Sequence, residues 1–443
     1  MVKIHTIGGF SEVGKNMVAV ELEEDAFIFD EGFFLPAIIS MQESERIMTE
    51  RHLKSISAIP EDSVINKIRH KVCAQFISHA HLDHVGAVPF ISEKYKAPIY
   101  ATPFTINVLN SLLEDNDIVL KNKTYAIKPN TTFYIRGKNK KYKVDFINIT
   151  HSTAQCLMIA IHTPKGAIIY GNDFKLDDTP VLGPKPNYRK LRELAKEGVL
   201  AIIADSLYSG SEKKTPSERI ARALLQEVFL TIQNKHAGMI VTTFSSHIAR
   251  LKSIVEFGKK LNREVIFLGR SLNKYSIAAK DAGLAPFLSN IKISKYRRQV
   301  EQSLRKVERK RKDYLVVCTG HQGEPGSILE RLSRHDLPFR INKEDNIIFS
   351  SSVIPAKQNL EQFAKMEKRL KRSKPRIFRD AHVSGHGGKE DLRDLIKLTQ
   401  PRHIIPSHGG LDKTRPMAEL VREMGYRAGK HCHLMTDGGV LKL

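Results

Sequence analysis

The chain opens with short segments in which apolar and polar positions alternate, broken by glycine. Lys3 to Ile7, Asn16 to Leu22 and Ala26 to Asp30 carry this period and predict an antiparallel meander. Residues 42 to 70 are polar with helical spacing, and Ala74 to Ser78 predicts a strand that runs directly into a histidine cluster. Helical periodicity follows at 87 to 95 and 103 to 114, then strands near 124 to 128, 143 to 149, 156 to 163 and 167 to 171. Strands outnumber helices here, which predicts a β-rich domain with helices outside. After about Asp205 the rhythm changes to helix 216 to 234, strand 238 to 243, helix 247 to 261, strand 264 to 268 and helix 272 to 283. That alternation predicts a parallel sheet wrapped by helices. Strands at Tyr314 to Cys318 and Asn346 to Ser350 and a basic helix at 357 to 374 continue it. From Ile377 the pattern returns to short strands with glycine and histidine turns, ending in the strand Val440 to Leu443. With no internal repeat and no low-complexity linker, the simplest organisation is a β-rich domain split by an inserted α/β domain.

The length of 443 residues suits such a two-part chain. Apolar residues make up 41% and charged residues 27%, a globular composition that excludes disorder. Lysine and arginine number 71 against 48 acidic residues, giving a formal charge of +23. An excess of that size calls for a polyanion, nucleic acid being the commonest, with a generally basic solvated surface as the alternative. The four cysteines, Cys73, Cys156, Cys318 and Cys432, lie far apart, which argues against a disulfide framework or a cysteine zinc site. The N-terminus lacks the pattern of a secretory signal, and no run approaches the roughly 18 apolar residues of a membrane span. A reduced, cytoplasmic setting is expected.

The densest chemistry is Ser78-His79-Ala80-His81-Leu82-Asp83-His84-Val85-Gly86, immediately after a strand. Alternate side chains of an extended segment point the same way, so His79 and His81 can bind one metal. Asp83 and His84, at the turn into the next helix, can face a second. Crowded neutral imidazoles pack poorly and each needs a partner, so a purely structural origin is a weak reading. Further donors are required, and His151, Asp173 and His408 stand at strand ends where they qualify. Each alone would more often be a satisfied polar group. Together they complete two sets.

These residues, with Asp30 after the early strand, resemble the metallo-β-lactamase fold, an αββα sandwich whose hydrolases hold two zinc ions at one edge. The resemblance implies that His79, His81 and His151 bind one zinc, that Asp83, His84 and His408 bind the other, that Asp173 bridges, and that Asp30 buttresses the ligands. Asp205, His386 and His408 resemble the extra motifs of the nucleic-acid-cleaving β-CASP branch, which carries an inserted α/β domain with a parallel sheet. Gly8-Gly-Phe-Ser-Glu-Val-Gly-Lys-Asn16, Thr243-Phe-Ser-Ser-His-Ile-Ala-Arg-Leu251, Phe267-Leu-Gly-Arg-Ser271, Cys318-Thr-Gly-His-Gln-Gly-Glu-Pro325 and Phe349-Ser-Ser-Ser-Val-Ile-Pro355 are similar to ribonuclease J. The resemblance runs from about residue 4 to the last strand. It implies a metallo-β-lactamase domain in two parts, 1–204 and 377–443, around a β-CASP domain at 205–376. The additional C-terminal domain of bacterial members finds no counterpart, so the chain looks most like the shorter archaeal form. Leu207-Tyr208 and His321 depart from residues common in the bacterial pattern, which bears on pocket detail rather than on the metal set.

In that family a pocket takes the 5′-monophosphate of RNA, and its matching positions are Ser246, His247 and the stretch His382, Val383, Ser384, Gly385 and His386. Glycine-rich backbone with serine and histidine donors suits phosphate oxygens, although a serine at a helix start is also an ordinary cap. Gly9 to Asn16 mimics a phosphate-binding P-loop, but Asn16 replaces the required hydroxyl residue and a strand pattern follows, so a hairpin turn is expected. The basic runs Lys292 to Lys312 and Lys365 to Arg376 are either solvated helix faces or tracks for an RNA backbone. The resemblance implies a zinc-dependent 5′-to-3′ exoribonuclease of RNA processing and turnover that releases 5′-mononucleotides. Two zinc ions per chain are expected, with manganese or magnesium as substitutes. About 3.5–4 Å apart, they would share an attacking hydroxide. Asp83, Asp205 and His386 are the catalytic candidates, His386 acting at the leaving oxygen or on the transition state. The expected partner is single-stranded RNA with a 5′-monophosphate; no membrane is expected, and relatives suggest a homodimer. The alternatives are chiefly endonucleolytic cleavage, a small-molecule hydrolase on the same fold, and a non-catalytic RNA-binding subunit.

Overall fold

The computed structural model describes residues 1–41, 48–234, 236–354 and 357–443. Residues 42–47 of the helical expectation and Pro355 of the quoted motif lie outside the described residues. The chain divides into two compact units, one made of Met1–Asp178, Pro184–Thr215 and Ser384–Leu443, the other of Thr179–Gly183 and Pro216–Val383. The divisions fall somewhat past the positions read from the rhythm of elements. After Asp205 the chain stays against the larger unit, where Ser206 Oγ and N both donate to the Ser407 carbonyl and Ser209 Oγ donates to the Lys413 carbonyl.

The strands of the larger unit begin with β1 (Val2–Gly8), β2 (Met17–Leu22), β3 (Asp25–Phe29), β4 (Val72–Phe76), β5 (Ile99–Ala101) and β6 (Thr124–Ala126). They continue with β7 (Thr131–Arg136), β8 (Lys141–Asn148), β9 (Leu157–Thr163), β10 (Gly166–Gly171) and β11 (Val199–Asp205). The smaller unit contains β12 (Met239–Thr242), β13 (Glu264–Leu268), β14 (Lys292–Ser294), β15 (Tyr314–Cys318), β16 (Asn346–Phe349) and β17 (Arg376–Phe378). Two more, β18 (His403–Ser407) and β19 (Gly439–Lys442), return to the larger unit.

Among the described residues the larger unit holds a seven-stranded sheet, β19-β1-β2-β3-β4-β5-β6, and a six-stranded one, β18-β11-β10-β9-β8-β7. Their facing sides meet in an apolar layer that includes Val18, Phe27, Phe29 and Phe76 from one and Phe146, Ile159, Tyr170 and Ile405 from the other. The outer face of the first sheet is covered by Leu53, Ile65, Ile91 and Tyr95 from helical segments. The outer face of the second is covered by Leu191, Leu194, Leu392, Leu395, Met417 and Leu420. Helix, sheet, sheet, helix is the expected αββα sandwich. Its closure joins chain ends, since β1 pairs antiparallel with both β2 and β19. The Gly9 to Asn16 segment is the β1–β2 hairpin connection, as its sequence predicts.

The smaller unit is a parallel sheet in the order β14-β13-β15-β12-β16-β17. Ile240, Ile266, Val316 and Ile347 of its strands pack with Leu304, Leu332 and Met366 of surrounding helices. The basic segment from Lys292 resolves into β14 and the helix Arg297–Arg309, which buries Val300, Leu304 and Val307 and turns its arginines outward.

One reading is corrected. The stretch after Ile377 is not all short strands: β17 completes the parallel sheet, and helices run over Lys389–Thr399 and Leu411–Glu423. The first buries Leu392, Leu395 and Ile396 and the second Met417, Leu420 and Val421, the three-and-four spacing of an amphipathic helix. Flanking glycines and histidines obscured that period. The strands β5 and β7, the helix Tyr188–Glu197 and β11 were also not anticipated.

Candidate metal centre

His79, His81, Asp83, His84, His151, Asp173, Asp205, His386 and His408 all belong to the larger unit. After β4 the chain runs extended through Ser78 and His79, and His81 enters the short helix Leu82–Val85 that carries Asp83 and His84. This loop lies on the backbone of Gly32, where a Cβ would stand 1.6 Å from the Asp83 carbonyl oxygen, so no other residue fits without moving the loop. Three parallel neighbours, β10, β11 and β18, bring Asp173, Asp205 and His408 to one sheet edge, with Asp205 in register with Ser407. Asp30 and His408 hold left-handed backbone, at φ 58° and 61°, a conformation that costs non-glycine residues energy and that the surrounding structure must enforce.

Two donor sets result. One atom each from His79, His81, His151 and Asp173 lie within 4.8 Å of one another, and so do atoms from Asp83, His84, Asp173 and His408. The Asp173 carboxylate stands between them: Oδ2 is 3.6 Å from His79 Nε2, 3.5 Å from His151 Nε2 and 3.3 Å from His84 Nε2, while Oδ1 is 3.6 Å from His408 Nδ1.

The donors fit a pair of divalent cations. His81 Nδ1 faces His79 Nε2 at 3.2 Å and His151 Nε2 at 3.1 Å. One ring nitrogen cannot satisfy both, whereas ligands about 2.0–2.1 Å from a tetrahedral ion stand about 3.3 Å apart. Buried Asp173 Oδ1 has no hydrogen-bond partner among the described residues. Burial holds His79 and His151 well below the usual imidazole range and takes His81 down to about 4, so these rings are neutral, the form that ligates. Burial also opposes charge on His84, but the carboxylates of Asp173, Asp83 and Asp30 outweigh it and push that ring up. Burial likewise opposes charge on Asp173, and the rings of His408, His84 and His386 hold it well below the carboxylate range.

Buried partners fix the rings. Asp30 Oδ2 stands 2.7 Å from His84 Nδ1 and accepts from Ser78 Oγ and Tyr170 Oη at 2.7 and 2.8 Å, while Oδ1 accepts from Ser78 N at 2.7 Å. The Gly385 carbonyl stands 2.8 Å from His151 Nδ1. Sequence reasoning missed Asn16, whose Oδ1 lies 3.0 Å from His408 Nδ1 and whose Nδ2 lies 3.1 Å from His84 Nε2 and donates to the Asp83 carbonyl at 2.9 Å. It stood inside a stretch quoted for resemblance, and nothing in its spacing pointed to the cluster.

His386 and Asp205 form a dyad, Nδ1 to Oδ2 2.7 Å, with His386 Nε2 3.9 Å from Asp173 Oδ2. Burial lowers the affinity of His386 for its proton, but the Asp205 and Asp173 carboxylates outweigh it and push the ring up to about 9. The ring of Tyr208 stands against it, centroids 6.1 Å apart. Of the expected phosphate pocket, Ser246, His247, His382 and Val383 belong to the smaller unit and Ser384, Gly385 and His386 to the larger. His247 holds the N-cap position of the helix Ile248–Lys260, and its side chain makes no capping bond there.

An αββα sandwich with two histidine and aspartate donor sets at a sheet edge defines a metallo-hydrolase of the metallo-β-lactamase type. Residues 12–213 match the model of the metallo-beta-lactamase superfamily, 236–366 that of the ribonuclease J beta-CASP domain and 373–435 that of the Zn-dependent metallo-hydrolase RNA specificity domain. The chain is 39% identical over 443 residues to ribonuclease J of Methanocaldococcus jannaschii, spanning 99% of this chain and 98% of that protein. It is 39% identical to ribonuclease J of Pyrococcus abyssi, spanning 100% and 97%. With ribonuclease J 1 of Streptococcus pyogenes serotype M3 the identity is 30%, over 100% of this chain and 74% of that longer protein. A crystal structure of a protein of unknown function from Enterococcus faecalis V583 shares the fold, with a TM-score of 0.62 at 16% identity over 100% of both chains. The chain belongs to the ribonuclease J family. No helix among the described residues is long and apolar enough to cross a membrane.

Proposed function

We propose that this ribonuclease acts as a zinc-dependent 5′-to-3′ exoribonuclease, removing 5′-mononucleotides stepwise from the 5′-monophosphate end of single-stranded RNA. The observation that carries the reading is the pair of buried donor sets sharing Asp173, with the Asp205–His386 dyad 3.9 Å from that carboxylate. His79, His81 and His151 would hold one cation and Asp83, His84 and His408 the other, with Asp173 serving both. When bound, such a pair supplies Lewis acidity at the scissile phosphate and water acidic enough to attack it near neutral pH.

The chain's own groups do the rest. Asp205 anchors His386 through Nδ1, which leaves Nε2 directed at the cluster to give a proton to the leaving oxygen of the cleaved ester. Ser246, His247 and the stretch His382 to His386 are the candidate ligands of the terminal phosphate, and removal of one nucleotide at a time from that end makes the action stepwise. The outward arginines and lysines of the helix Arg297–Arg309 track the RNA backbone, which gives the +23 charge a purpose. The reading places the enzyme in the cytoplasm, in RNA processing and turnover, as a homodimer.

The test is a time course on RNA with a labelled 5′-monophosphate, with and without chelator, beside the same RNA bearing a 5′-triphosphate. Labelled mononucleotide from the first time point, from the monophosphate form and restored by zinc, is the expected result. Discrete labelled fragments would make the chain chiefly an endonuclease, and restoration by manganese or magnesium alone would replace zinc. Bound but uncut RNA under all conditions would leave a binding subunit. Asp83→Ala should abolish hydrolysis and retain RNA binding.

A further inference from the structure

Among the described residues the largest fully buried side chain is not apolar: it is Arg250, near the start of the helix Ile248–Lys260, at 0% exposure. Its Nε and Nη2 donate to the two oxygens of Glu218 at 2.6 and 2.9 Å. Its Nη1 donates to the Ser350 carbonyl at 2.6 Å, to Ser350 Oγ at 2.8 Å and to the Ala381 carbonyl at 3.2 Å, and stands 3.4 Å from His382 Nδ1. Glu218 Oε2 in turn stands 3.3 Å from His247 Nε2. Burial works against a charged Glu218, but the His247 ring and the Arg250 guanidinium hold it well below the carboxylate range. All these residues belong to the smaller unit.

One ion pair therefore ties four segments that are remote in sequence: the start of the helix Glu218–Thr231, the turn before the Ile248–Lys260 helix, the end of β16 and the chain after β17. A buried ion pair is a poor choice for stability alone, because apolar side chains of equal volume usually do as well or better. What apolar residues cannot do is hold imidazoles at fixed angles. At the two ends of this pair stand His247 and His382, the two imidazoles of the smaller unit assigned above to the terminal phosphate. The planar guanidinium fork sets the direction of each bond, which the point charge of a lysine does not.

We propose that Glu218 and Arg250 are positioning residues for recognition of the RNA 5′ end: they touch no substrate, and they fix His247 and His382 in the orientation that receives the terminal phosphate. The inference rests on the reading of those histidines as phosphate ligands, and its test separates the two. The measurement is kcat/KM and KM for the full-length protein on one RNA with a 5′-monophosphate and the same RNA with a 5′-hydroxyl, for wild type, His247→Ala, Arg250→Lys, Glu218→Gln and the apolar pair Glu218→Leu with Arg250→Met, each with its melting temperature.

A loss of monophosphate preference in His247→Ala, and a fall of about 10- to 100-fold in the same preference in Arg250→Lys and Glu218→Gln, carried by KM, is the expected result. The apolar pair separates positioning from scaffolding: it should recover the melting temperature while the preference stays low. Full preference in a stable apolar pair, or in Arg250→Lys and Glu218→Gln when His247→Ala has lost it, would overturn the positioning role. Unchanged preference in His247→Ala would overturn the phosphate assignment itself, and the positioning role with it.

Discussion

Replacing Gly32 by alanine adds one methyl group at the place where the metal-loop backbone lies closest to the β3 end. The new Cβ would stand 1.6 Å from the Asp83 carbonyl oxygen, 2.1 Å from its carbon and 2.8 Å from His84 N. Restoring van der Waals separation requires a backbone shift of about 1.5–2 Å. Asp83 and His84 move with that backbone, whereas His79, His81 and His151 sit outside the clash. The second donor set is therefore expected to lose its geometry while the first survives. A misplacement of about 1 Å in reacting groups costs on the order of 100-fold in rate, so RNA hydrolysis should fall at least that far. Overpacking of this kind costs about 1–3 kcal/mol, and each kcal/mol lowers the melting temperature of a domain this size by roughly 2–4 °C, so the variant should fold. The assay is metal content per chain after dialysis against trace zinc, beside the hydrolysis rate and the melting curve. The expected result is two metals per chain in the wild type and one in the variant, with slow cleavage. Wild-type stoichiometry and rate in Gly32→Ala would refute both the close approach and the assignment of Asp83 and His84 to a shared ion.

Asn16→Ala removes the amide that touches both His84 and His408, and should weaken the second metal by about 10- to 100-fold with the first unchanged, read by competitive chelator titration. The acid limb of stability should depend on two carboxylates outside the donor sets. Burial opposes charge on Glu21, but bonds from Lys71, His5 and Lys3 pull it from 4.5 to about 2. Burial opposes charge on Asp145 as well, and His162, Thr132 and Lys190 pull it from 3.8 to about 2. Because the folded values lie below the unfolded ones, their contribution is complete above about pH 4.5 and is lost as pH falls toward 2. Glu21→Gln and Asp145→Asn should each flatten the fall of melting temperature between pH 5 and 2; an unchanged slope in both would refute the assignment.

Much of the centre was legible because its chemistry is local or lies at element ends. His79, His81, Asp83 and His84 fall within six positions, directly after one strand and at the turn into a helix, so the cluster shows in the sequence itself. His151, Asp173 and His408 follow strands, and their residue types together with the resemblance picked them out. A β-rich domain split by a parallel α/β sheet followed from where the period changes from two to mixed, and the αββα layering was implied by the resemblance. Less was legible where a period is short or crowded. The strand β7 exposes several of its alternate positions, and the helices over Lys389–Thr399 and Leu411–Glu423 were obscured by the glycines beside them.

The sequence by itself determined which donors exist, the order of the elements that carry them and the family the chain resembles. Only the tertiary structure decided which backbone and side-chain groups hold those donors still. Asn16 reaches His408 across 392 positions, Gly385 reaches His151 across 234, and Arg250 reaches His382 across 132. Periodicity reports which face of an element is buried, because burial repeats with the turn of the chain. Contacts between remote segments repeat with nothing, so they are fixed only when β-sheet register and layer packing bring those segments together.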